Sequence, residues 1–190
     1  MLPKEQYKKE QYKKEQQCIQ ETKQWILEFI IALNLCPFAK REMDRGAVNI
    51  QISFAETRDA AQKAFQHEVK LLDTTPSIST TLLVFPHFLA DFFNYLDFVD
   101  DADAWLLKEG YEGIYQLATF HPDYCFADAK ENDVTNYTNR SPYPMLHLLR
   151  EEDLEHAIAY YGNTEEIPEK NMACLRHLGL DAVKKMYLYP

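Results

Sequence analysis

From Cys18 onward, apolar side chains return at three- and four-residue steps: Ile19, Trp25, Ile26, Phe29, Ile30 and Leu33. That spacing predicts a helix with one buried face, which Asn34 and Pro37 bring to an end. Val48, Ile50 and Ile52 then alternate with Asn49, Gln51 and Ser53, the two-residue period of a half-buried strand. Thr57 stands where a second helix needs an N-cap, and Ala61, Ala64, Phe65, Val69 and Leu72 form its apolar side before Thr74, Thr75 and Pro76 break it. Thr81 to Phe85 reads as a buried strand. Leu89, Phe92, Phe93, Leu96, Val99, Ala102 and Leu106 predict a third helix ending near Gly110, and Ile114 to Phe120 a third strand.

The pattern changes between His121 and Pro144, where Pro, Asp, Asn, Thr and Ser dominate. A loop longer than about 12 to 15 residues inside a compact domain is usually functional or disordered, and the aromatics and cysteine of this one favour order. Helices resume over Met145 to Tyr161 and Ile167 to His177, with a short one near Val183. Strands separated by helices imply crossover connections, hence an α/β (or α+β) fold with a small three- to four-stranded sheet covered by helices. A largely parallel sheet fits, as does an antiparallel one with helices on one face. Residues 1–17 carry the tandem repeat Glu5-Gln6-Tyr7-Lys8-Lys9 and Glu10-Gln11-Tyr12-Lys13-Lys14, which reads as a charged, frayed leader ahead of a single globular domain over 18–190.

Composition narrows the function classes. A hydrophobic share of 46%, with 12 Tyr and 11 Phe but only 5 Gly, supplies a core and argues against a Gly-rich nucleotide cradle. The net charge of -10 provides no global field for nucleic acid or an anionic membrane. Cys18, Cys36, Cys125 and Cys174 lack CxxC spacing, and neither a signal sequence nor an apolar run of roughly 20 residues is present, so reduced thiols in a cytoplasmic protein are expected.

Parallel strands would bring their C-terminal ends to one sheet edge, the usual ligand edge of α/β folds, and His87 and His121 follow two of those strands. The densest polar constellation follows His121: Tyr124, then Asn139, Arg140 and Ser141, then His147 and Arg150. A helix begun at Pro144 would set His147 and Arg150 three residues apart on one face. Arg140 and Arg150 suit a carboxylate or phosphate, Tyr124, Asn139 and Ser141 would orient it, and His121 and His147 would act as acid and base. The bland alternative is that the arginines pair with Glu151, Glu152 or Asp153 and merely pin the loop. For a metal, His87, His121, His147, Cys36 and Cys125 offer the ligand types but no ligand spacing, so no metal site is assigned. Cys36 follows a helix C-terminus, where the dipole disfavours a thiolate, and reads as a structural cysteine.

Three segments, Leu35-Cys36-Pro37-Phe38-Ala39, Phe120-His121-Pro122 and Asn139-Arg140-Ser141-Pro142-Tyr143-Pro144 with His147 to Glu151, resemble a bacterial family of uncharacterised proteins over most of residues 20 to 178. The resemblance implies a shared structure and loop, and names no substrate or cofactor. Two readings follow. The first is an enzyme or binder holding a small anionic ligand in a His/Arg pocket of the 121–150 loop. The other is a non-catalytic interaction module, braced by that loop, with an exposed apolar patch elsewhere. Oligomeric state and sheet order are left open.

Overall fold

The structure is a computed structural model that describes residues 4–162 and 164–187. Helix α1 (Lys4–Trp25) runs without a break into a π-helical turn, Ile26–Ile31, followed by the short α2 (Ala39–Asp44). Then come β1 (Val48–Ile52), α3 (Arg58–Thr74), β2 (Thr80–Val84), α4 (Phe92–Lys108) and β3 (Tyr115–Phe120). A 3₁₀ turn over Val134–Thr138 interrupts the long loop before β4 (Met145–Arg150), α5 (Glu151–Tyr161), α6 (Ile167–Leu178) and α7 (Leu180–Tyr187). Among the described residues, no helix is long and apolar enough to cross a membrane.

The four strands form one mixed sheet in the order β1-β2-β4-β3, an α+β arrangement with helices on both faces. Strands β1 and β2 are parallel, and β4 is antiparallel to both β2 and β3. Consequently β1, β2 and β3 point the same way and do share a C-terminal edge, with the reversed β4 inserted among them. One face packs Leu83, Phe85, Leu146 and Leu148 against Phe65, Val69 and Leu72 of α3 and Tyr95, Phe98 and Leu106 of α4. The opposite face packs Ile52, Leu82, Val84 and Met145 against Trp25, Ile26, Phe29 and Ile30, with Leu175 and Val183 from the C-terminal helices. Full burial of each such side chain contributes roughly 1.5–3 kcal/mol.

Segment 145–150 corrects the expectation of a helix from Met145 to Tyr161. It is a strand, and the helix starts only at Glu151. As an inner strand it carries apolar residues on both faces, so its period-two signature is erased. The consequence for chemistry is direct: residues three apart on a strand face opposite ways, which separates His147 from Arg150. The charged leader continues helix α1. Its described residues, from Lys4, are helical with exposed side chains over 8–14, and residues 1–3 lie outside the described part. Glu5 and Lys9, like Glu10 and Lys14, are four apart in the favourable order, and the buried Cys18, Thr22 and Trp25 anchor the same helix to the domain.

Local signals explain the ends of the elements. The Thr57 side chain accepts the Ala60 N–H at 3.3 Å, and Asp91 accepts that of Asn94 at 2.9 Å, each an N-cap for α3 or α4. The Tyr95 hydroxyl donates to the Met145 carbonyl at 2.8 Å and accepts the Phe120 N–H at 3.0 Å, tying α4 to the paired ends of β3 and β4. Leu89, between β2 and α4, holds φ +65 and is buried, an uncommon conformation for a bulky residue.

Candidate functional site

Five of the sequence-selected residues, His121, Tyr124, Asn139, Arg140 and Ser141, gather where β3 runs into the long loop. His121 is fully buried under Phe92 and Tyr95, with ring centroids 5.1 and 5.0 Å away. Its Nε2 lies 2.9 Å from the Leu89 carbonyl, which can only accept, and its Nδ1 accepts the Asp123 N–H at 3.0 Å. Those partners fix a neutral ring protonated on Nε2 and engage both nitrogens. Burial pushes its pKa down, which favours the same neutral form.

The polar groups around it are likewise turned inward to the backbone. Arg140 donates to the carbonyls of Tyr124 at 3.2 Å and Glu131 at 2.8 Å, and its guanidinium lies 4.7 Å from the Tyr137 ring centroid. Asn139 donates to Thr119 O at 3.1 Å, Ser141 to Tyr143 O at 2.7 Å, and the Tyr124 hydroxyl accepts from Thr119 at 3.4 Å. Asn136, which the sequence reading passed over, is the residue that closes the loop. Fully buried, it accepts the Phe126 N–H at 3.1 Å and donates to Lys130 O at 2.8 Å and Glu131 O at 3.3 Å. A turn-forming Asn between Thr135 and Tyr137 was its only sequence signal.

Arg150 lies elsewhere, on the face toward α3. It donates to the carbonyls of Leu72, Thr75 (3.4 Å) and Ile78 (3.2 Å) and to the Tyr115 hydroxyl (3.1 Å). A guanidinium on the last carbonyls of α3 acts as a C-terminal cap, at the negative end of the helix dipole. Asp153 Oδ2 is 4.0 Å from its Nε. The seven selected residues therefore do not converge on one ligand.

His147 occupies a different setting, the floor of a cavity of about 340 Å³ on the α1 face of the sheet. Its strand neighbours are Leu82 of β2 and Ala118 of β3. The walls come from the end of α1 and the π-helical turn (Trp25, Ile26, Ile30), the Leu35–Ala39 segment, Met43 of α2, and Leu154 and Ala157 of α5. Trp25 packs edge-on to Phe120 at 5.3 Å, and Phe120 lies 6.1 Å from the His147 ring, so the three aromatics form one continuous wall. Glu42 and Asp153 supply its charged lining, and Arg150 borders it at the end of β4 with its guanidinium turned to the other face.

Few polar groups line this space, and His147 offers it an atom without a partner. His147 Nε2 is 2.6 Å from Thr80 Oγ1, whose single hydrogen goes to the Leu148 carbonyl at 2.5 Å. The hydroxyl must then accept, so the ring carries its proton on Nε2 and offers Nδ1 as a lone pair. No hydrogen bond to Nδ1 forms among the described residues. Burial drives the pKa of His147 down to about 4, so the imidazole is neutral at physiological pH. The Trp25 indole N–H is buried and also lacks a hydrogen-bond partner. Cys36 lines the same cavity, and burial pushes its thiol up, away from a reactive thiolate.

The remaining metal and ligand candidates are scattered. His87 is exposed beside Phe54, and all four cysteines are free thiols. Among the described residues, no three His, Cys, Asp or Glu side chains assemble as metal ligands. The exposed large apolar side chains Leu27, Phe93, Leu107, Ile114, Phe126 and Ile158 come from separate parts of the chain. Phe93 and Phe126 join through Phe92 and Tyr124 in a run of ring contacts of 6.3, 5.2 and 5.0 Å.

Comparison with known proteins bears on all but the ends of the chain. No curated protein and no solved structure matches it. Residues 17–185 match the family described as protein of unknown function DUF1415, a span that takes in the sheet, the loop knot and the whole cavity wall. The chain belongs to the DUF1415 family.

Proposed function

We propose that this protein binds a small, predominantly apolar molecule in the cavity floored by His147. One observation carries the reading: a 340 Å³ space walled by Trp25, Ile30, Leu82, Phe120 and Leu154 contains an unpartnered acceptor on His147. Ligand sites have this composition, apolar walls with a few placed polar groups, and begin at about 300 Å³. The volume is about twice the roughly 150 Å³ that holds a benzene ring, enough for a two-ring molecule. The π-helical turn that supplies Ile26 and Ile30 to the wall adds support, since such turns recur at functional sites.

An anionic ligand, the expectation for the 121–150 loop, fits less well. Both arginines proposed to hold it are bonded to backbone carbonyls, and the cavity lining includes the carboxylates of Glu42 and Asp153. Naphthalene is a suitable probe. Titration into ¹⁵N-labelled protein should shift the Trp25 indole and the Ala118 and Phe120 amides saturably, and Ala118→Leu, which narrows the floor, should weaken binding. Absence of a saturable shift at these positions refutes the proposal.

A further inference from the structure

Resting on that reading, we propose that the cavity selects neutral aromatic molecules bearing a hydroxyl or N–H donor, which His147 Nδ1 accepts, and that it disfavours carboxylates. The selecting atom is set by a relay. The Leu148 carbonyl can only accept, so it takes the Thr80 hydrogen. Thr80 Oγ1, 2.6 Å from Nε2, then takes the ring hydrogen, which leaves Nδ1 as an acceptor and nothing else. Thr80 is buried and held in β2 opposite Leu149, so the relay is part of the sheet rather than of a mobile loop.

The rest of the wall sharpens the choice. Phe120 and Trp25 present ring surfaces beside His147, matched to a flat guest. A carboxylate would meet the Nδ1 lone pair and the carboxylates of Glu42 and Asp153, while the Arg150 guanidinium is engaged with the carbonyls behind β4. A hydroxyl or amine gains a hydrogen bond at no charge cost. Leaving the Nδ1 acceptor facing a guest without a donor forfeits that bond.

Three probes of one size separate the outcomes: naphthalene, 2-naphthol and 2-naphthoate, each titrated at pH 7.5 and followed at the Trp25 indole resonance. The expected order places 2-naphthol about three- to tenfold tighter than naphthalene, the range that one buried neutral hydrogen bond supplies. The naphthoate should bind at least roughly tenfold weaker than 2-naphthol. His147→Leu should erase the naphthol preference while naphthalene still binds. Thr80→Val, which frees the tautomer, should reduce the preference and serves if the first variant fails to fold. Equal binding of naphthol and naphthalene, a preference for naphthoate, or a naphthol preference that survives both substitutions overturns the selection rule while leaving the cavity proposal standing. Failure of all three probes to bind removes the cavity proposal itself.

Discussion

Acid should unfold this protein through His147 more than through any surface histidine. The ring is held neutral between Thr80 and an apolar cavity, with its pKa at about 4 against an ordinary imidazole value of 6.5. Because the folded value is the lower one, the unfolded chain takes up this proton first as pH falls. The associated stability is therefore complete above about pH 6.5 and is lost on the way down to about 4. At 1.36 kcal/mol per unit, that gap corresponds to a loss of about 3 kcal/mol between pH 7 and pH 4. Urea melts of the wild type and of His147→Leu over this range isolate the effect, since both proteins share every other titrating group. Glu68, a buried carboxyl whose pKa burial raises, acts in the opposite sense in both and cancels. The wild type should lose about 3 kcal/mol more than the variant. A difference that stays flat with pH, or an NMR titration placing the His147 pKa near 6.5, refutes the assignment of a desolvated neutral ring.

Three further substitutions probe the framework. Arg150→Met removes the donors to Leu72, Thr75 and Ile78 and should cost about 3 kcal/mol in urea denaturation, with faster amide exchange in the last turn of α3. Asn136→Ala leaves the Phe126 N–H and two carbonyls without their partner, so a loss of about 2–4 kcal/mol is expected, together with protease sensitivity confined to residues 122–133. Tyr95→Phe keeps the ring in the core but deletes the hydroxyl that joins Met145 O to Phe120 N–H; thermal unfolding should report about 1–2 kcal/mol, and no change would mean that water replaces it.

Much of the framework was legible wherever burial is one-sided. The Thr57 cap, the stripe from Ala61 to Leu72 and the run from Phe92 to Leu106 all announce themselves, because each helix shows the core a single face. Strand β4 concealed itself because Leu146 and Leu148 point to one core and Met145 to the other. The same misreading united His147 and Arg150, which the strand sends to opposite faces. The polar composition of the loop is plain in the sequence, but which partners satisfy Arg140 depends on carbonyls that only the folded backbone brings close. A cavity has no sequence signature, being space left between elements far apart in the chain. All three segments that carry the family resemblance nevertheless contribute to its wall, through Leu35 to Ala39, Phe120, and His147 to Arg150.

The position of β4 also dictates how the chain must assemble. Strands β2 and β3 are each complete by residue 120, yet they are not neighbours and cannot pair until Met145–Arg150 arrives to lie between them. During synthesis β2 can pair with β1, but its other edge, Thr80 to Val84, stays open for the time needed to make some sixty more residues. That edge is wholly buried in the finished fold and has no charged residue to guard it. Open apolar edges are the surfaces on which chains join one another. The long loop thus serves assembly as a delivery arm, carrying in the strand that seals the sheet, and any lesion that slows its closure will show first as lost solubility rather than as a lost ligand.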